Sequence, residues 1–193
     1  MNDILLIIIG SVIGFIASVG ILVVERILDR AGKLKIYFKF VSLRDDGRPW
    51  GVYEESGLLA LFIPVKLEIQ NTTNTTKVIR DLSIELYHGT QYVCKMVQIN
   101  RFCKSERIKT TTEPQYGNNG SYSFVIKPRS INNEECLYSY HINESDVADF
   151  DFNVIKISYY DEKDKKVIYE AKNRITGWDL KRNQVDHDWL LLK

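Results

Sequence analysis

Residues Ile4 to Val24 form a run of 21 positions without a charge, a proline, an asparagine or a glutamine. As an α-helix that run is about 31 Å long, the thickness of a bilayer's hydrocarbon core. The chain therefore reads as a single-pass membrane protein whose remaining residues form a soluble domain. The rival, a cleaved signal peptide, wants a basic leader, a shorter apolar core and a small-residue cleavage site. Here Met1-Asn2-Asp3 carries no Lys or Arg, and Ala17-Ser18-Val19-Gly20 lies inside the run rather than after it. The flanks set the orientation. Arg26, Arg30, Lys33, Lys35 and Lys39 follow the run, and no Lys or Arg precedes it. The positive-inside rule then places the C-terminal domain in the cytoplasm, at the cell membrane. Sequons at Asn71, Asn74, Asn119 and Asn143 argue otherwise only for a luminal eukaryotic domain. Such triplets arise by chance in an Asn-rich chain, so the flanks outweigh them.

Cysteine usage agrees with a reducing compartment. Cys94, Cys103 and Cys136 are odd in number and show no C-x-x-C spacing, which opposes both a disulfide framework and a zinc site. A net charge of +1 gives no broad pull toward nucleic acid.

Behind the apolar run, Glu25 to Arg30 keeps helical character and Ala31-Gly32 stops it. Leu34, Ile36, Phe38 and Phe40 then alternate with Lys35, Tyr37, Lys39 and Val41. That period of two is a strand with one core face. Further strand signals run through Leu58–Gln70, Val78–Tyr87, Gln91–Val97, Ser121–Lys127, Glu135–Ile142, Val154–Tyr160 and Lys166–Glu170. Turn clusters separate them, among them Asn71-Thr72-Thr73-Asn74-Thr75-Thr76 and Asp161-Glu162-Lys163-Asp164-Lys165. Pro64 inside a long strand implies an edge, a bulge or a strand start, because it cannot donate to a ladder. About eight short strands and no long helix after residue 32 predict an all-β fold. It is an N-terminal transmembrane helix followed by an antiparallel, immunoglobulin-like β-sandwich. The expected division is an anchor helix over 1–32, a sandwich over 33–175 and a tail over 176–193. The tail, rich in Trp and Leu at Trp178, Leu180 and Trp189 to Leu192, reads as a packed strand or helix, or as an interfacial segment.

Two stretches, Ile-Pro-Val-Lys-Leu-Glu-Ile-Gln-Asn-Thr at 63–72 and Tyr-Ser-Phe-Val-Ile-Lys-Pro-Arg at 122–129, carry a resemblance. With the single N-terminal helix, they resemble a group of uncharacterised bacterial membrane-anchored proteins with an immunoglobulin-like sandwich. The resemblance implies a bacterial setting and that fold, and it carries no catalytic residues to transfer.

The chemistry-bearing residues form no known constellation. His88, His141 and His187 lie at no metal-ligand spacing, and no G-x-S-x-G, H-E-x-x-H or P-loop occurs. Glu54-Glu55 are adjacent, so on a strand they point to opposite faces. No enzyme, cofactor or metal is therefore expected. Two features point to binding instead. Gly10, Gly14 and Ser18 recur every four residues, a small-residue face through which transmembrane helices pack closely. Arg48, Trp50 and Tyr53 form an aromatic, basic stretch after the first strand, suited to a protein partner. The expected function is a membrane-anchored, non-catalytic interaction module that presents a cytosolic sandwich to a protein partner, with homo-oligomer formation through the helix open. The alternative is a membrane effector or accessory component of a bacterial stress or phage-defence system.

Overall fold

The computed structural model describes residues 2–41, 51–55, 57–100, 115–143, 151–171 and 189–192. Helix α1, Asn2–Arg30, has 29 residues. Its segment Ile7–Ile27 is long and apolar enough to cross a membrane. The described side chains from Ile4 to Ile27 are exposed, so the domain covers none of them. The helix ends at Arg30, and β1 (Leu34–Phe40) begins four residues later.

The other strands are β2 (Gly51–Glu55), β3 (Leu58–Asn71), β4 (Lys77–His88), β5 (Gln91–Lys95), β6 (Val97–Gln98), β7 (Phe124–Ile126), β8 (Ser130–Ile142), β9 (Val154–Tyr160), β10 (Lys166–Ala171) and β11 (Leu190–Leu191). They form two sheets. One has the order β11-β1-β3-β8-β6, with β2 also on β3. The other has the order β10-β9-β4-β5, with β7 also on β4. Every strand pairing is antiparallel. The all-β sandwich expected from the period-two segments is what the chain adopts.

The alternation of β1 works as its pattern demands. Ile36, Phe38 and Phe40 are buried between the sheets, opposite Ile69, Leu67 and Val65 of β3. Ile79, Ile84, Leu86, Ile155 and Ile157 close the core from the other sheet. Tyr122, Phe124 and Ile126 are all buried, as their shared face requires. Tyr138 is fully buried, and its hydroxyl crosses from β8 to donate to the Leu82 carbonyl of β4 at 2.9 Å. The two sheets are thus joined by a hydrogen bond as well as by apolar packing.

Pro64 sits in the middle of β3, the strand flanked on both sides. It is neither at an edge nor at a strand start. Its carbonyl accepts from the Val41 amide at 3.1 Å, and an antiparallel pair would return that bond from the amide of residue 64. Proline has none to give. The missing bond falls where β3 changes partners, since β1 pairs up to Val65 and β2 begins at Phe62.

The tail contributes at Trp189–Leu192. β11 adds to the outer edge of β1, with Tyr37 opposite Leu191 and Phe38 opposite Leu190. Leu192 is buried and its amide donates to the Ile36 carbonyl at 2.9 Å. Trp189 stacks under the Lys39 ammonium, 5.8 Å from the ring centre.

Candidate functional site

The most constructed polar feature is the joint between α1 and the sandwich. Gly32 leaves the helix at φ +108°, a conformation L side chains rarely adopt. The β3–β4 turn comes so close that a Cβ on Gly32 would lie 2.7 Å from the Thr72 carbonyl carbon. Lys33 then donates its amide to Thr72 Oγ1 at 2.7 Å. Its carbonyl accepts from Thr72 Oγ1 at 2.9 Å and from the Thr72 amide at 3.1 Å. One turn earlier, the Asp29 carbonyl would lack a partner as the helix ends. It accepts from the Asn74 amide at 3.4 Å, and the Asp29 carboxylate accepts from Asn74 Nδ2 at 3.2 Å.

Behind this contact the turn is itself fixed. Asn71 is only 1% exposed. Its Nδ2 lies at 2.8 Å from the Thr75 carbonyl and 3.0 Å from the Lys127 carbonyl, and its Oδ1 accepts from the Thr73 amide and hydroxyl. A sequon at Asn71 is therefore closed to glycosylation in the folded domain. The turn between β7 and β8 completes the joint. The Arg129 amide donates to the Thr73 carbonyl at 3.1 Å, and Arg129 Nε donates to Asn74 Oδ1. Arg129 holds a left-handed φ of 50°, a strained choice for a non-glycine residue. Between helix end, turns and sheet face lies a notch of about 630 Å³.

The residues singled out from the sequence fall elsewhere. Gly10, Gly14 and Ser18 are exposed on α1, and a Cβ at either glycine meets nothing beyond the helix itself within 4 Å. The Ser18 hydroxyl donates to the Gly14 carbonyl at 2.8 Å, so it is satisfied within the helix. Arg48 and Trp50 lie outside the described residues. Tyr53 does not present itself to a partner, and this corrects the aromatic-patch reading. It is 6% exposed, on β2 opposite Ala60, within the core. Gly51–Glu55 is a paired strand rather than a loop, so its alternation turns Tyr53 inward.

Several other ionisable groups serve the fold. Glu85 on β4 accepts from Lys166 Nζ of β10 at 2.7 Å, Tyr87 OH at 2.8 Å and Ser158 Oγ of β9 at 3.0 Å. Burial pushes its pKa up. The hydrogen bonds from Lys166, Tyr87 and Ser158 outweigh that, and the carboxyl is held below its ordinary range. The same bond raises the Lys166 ammonium. Cys94 and Cys136 are buried and free, and burial pushes the Cys94 thiol up to about 12. A thiol so raised is a poor nucleophile. His88 Nδ1 lies 3.1 Å from Asp151 Oδ2 at an exposed turn. Among the described residues no group of three or more His, Cys, Asp or Glu side chains converges on a metal position.

Asn71–Thr76 is legible in the sequence as a polar turn, but its role at the joint is not. Six consecutive short polar side chains were the available signal. Its partners, 39 to 56 positions away, are not local.

A family model described as YopI Ig-like domain matches residues 32–172. Neither the curated proteins nor the solved structures contained a match. The matched segment starts at Gly32, where the helix ends, and runs to the residue after β10, so it spans both sheets of the sandwich. On that match the chain belongs to the YopI Ig-like domain family.

Proposed function

We propose that this protein is a membrane-anchored, non-catalytic interaction module. Its helix holds an immunoglobulin-like domain against the inner face of a cell membrane, where the domain engages a protein partner. The joint at Gly32 is the observation that carries this reading. A flexible leader has no use for a conformationally restricted glycine and a hydrogen-bonded clamp. A domain that must keep a fixed attitude to a bilayer does. The Ig-like architecture supports an interaction role, since its loops vary on a rigid scaffold. Buried free thiols are compatible with a reducing compartment.

The test has two parts. Alkaline phosphatase fused to the C-terminus and expressed in a bacterium should stay in the cytoplasm and be inactive, because its disulfides do not form there, with the chain retained in carbonate-washed membranes. Activity outside the cell would reverse the orientation, and release by carbonate would remove the anchor. Photo-crosslinkers placed at positions 48 and 50 should capture one reproducible protein from intact membranes. Labelling of lipid and bulk protein alone would refute a partner at those positions.

A further inference from the structure

We infer that the notch beside Gly32 holds the phosphate headgroup of an anionic membrane lipid, with Arg129 as its principal contact. The inference rests on the anchor reading above and adds a ligand to it.

Depth is the first support. The candidate span ends at Ile27, and Gly32 is five residues further on. At about 1.5 Å per residue the notch lies roughly 8 Å beyond the hydrocarbon, within the headgroup layer of a bilayer. Lipid phosphates occupy that layer wherever the helix enters it.

Chemistry is the second. The notch is walled by Gly32, Thr72 and Asn74 on the helix side and by Gln70, Arg129 and Ile131 on the sheet side. Arg129 spends Nε on Asn74 Oδ1 and its amide on Thr73. Among the described residues no carboxylate pairs with its guanidinium. The outer nitrogens are left to grip an oxyanion in the forked geometry that suits phosphate. Asp29 is hydrogen-bonded to Asn74 and Glu68 to Gln70 Nε2 at 2.6 Å, which fixes both carboxylates without removing their charge. Lys35 stands beside Gln70 and Ile131 in register across β1, β3 and β8, which adds a second cation on the same face.

Amphipathicity is the third. Ile131 is 61% exposed, an apolar side chain lining the same notch as Arg129. A free phosphate ion has no use for it. A lipid offers a phosphate to Arg129 and its glycerol and upper acyl carbons to Ile131.

The experiment uses the full chain in phosphatidylcholine nanodiscs containing a photoactivatable phosphatidylglycerol, with cross-linked peptides mapped by mass spectrometry. Label should concentrate on residues 31–33, 72–74 and 129–131. It should fall about tenfold in Arg129→Gln, the loss of one charge-assisted pair, and less in Arg129→Lys. Label spread evenly around the helix end in the parent protein overturns the proposal, whether or not either variant folds. Abolition of the label by millimolar inorganic phosphate also overturns it, because the site would then be one for the free ion. A chain that remains in washed membranes yet shows no Arg129-dependent label refutes the lipid site alone. A chain released by carbonate removes the anchor and the lipid site together.

Discussion

Replacing Gly32 with alanine tests whether the joint is a clamp or a coincidence of packing. Two costs combine. The first is conformational, because φ of +108° costs an L-residue about 1–3 kcal/mol. The second is steric. The new methyl would sit 2.7 Å from the Thr72 carbonyl carbon and closer still to its oxygen. Those are backbone atoms, so no side-chain rotation relieves the contact, and the turn must withdraw. Withdrawal breaks the three hydrogen bonds between Lys33 and Thr72, at about 0.5–1.5 kcal/mol each. The sum is roughly 2.5–7.5 kcal/mol, enough to open the joint but confined to it. The core between the sheets touches none of these atoms. Native-state hydrogen exchange should therefore show protection of the Thr72 and Asn74 amides falling by at least about two orders of magnitude. The amides of β8 and β9 should change little. Thr72→Val, which removes only the hydroxyl and two of the bonds, should give a smaller loss at the same amides. Unchanged protection at Thr72 in Gly32→Ala would refute the clamp. Equal loss across the whole domain would show that the joint nucleates the sandwich rather than being attached to it.

Three further outcomes are expected. Phe38→Asp should unfold the domain, losing its strand circular dichroism. Phe38 is 1% exposed, and an unpaired carboxylate in its place costs more than about 4 kcal/mol. Glu85, whose folded pKa is depressed, contributes stability that is present above its unfolded pKa. That stability is lost as pH falls through the lower folded value. Denaturation midpoints followed from neutral to acid pH should show this decline, and Glu85→Gln should flatten it. An equally steep acid limb in the variant would assign the decline to other carboxylates. Gly14→Leu should weaken disulfide cross-linking between single cysteines placed along α1, if the Gly10, Gly14 and Ser18 face packs against a second helix. Uniformly weak cross-linking in the parent protein would make α1 a solitary anchor.

The strands legible in the sequence are those whose two faces meet different surroundings. β1 and the stretch from Tyr122 to Ile126 alternate because one side is core and the other is not. Where the sandwich depends on which strand lies alongside, the sequence is silent. Pro64 looked like an edge residue because its lost bond is visible locally, whereas the change of partner that tolerates it is not. Tyr53 was misread for a related reason. Beside Arg48 and Trp50 it looked like part of a loop, yet β2 pairs with the first half of β3 and points it into the core. The joint was the least legible feature. Its residues are ordinary turn formers, and their meaning comes from Asp29 and Lys33 meeting them across long stretches of chain.

The placement of β1 also has a mechanical meaning. β1 continues directly from the helix and is bracketed by β3 on one side and β11 on the other. Tension between a bilayer and anything gripping the far side of the sandwich would run along this strand. Antiparallel hydrogen bonds lie across the strand axis, so the seven paired positions between β1 and β3 would bear the load together, in shear, instead of parting one at a time like a zip. In a chain anchored in this way the Lys33–Thr72 bonds would stand first in line, as a fuse does. They would give way before the sheet, lengthening the tether while leaving the folded domain intact.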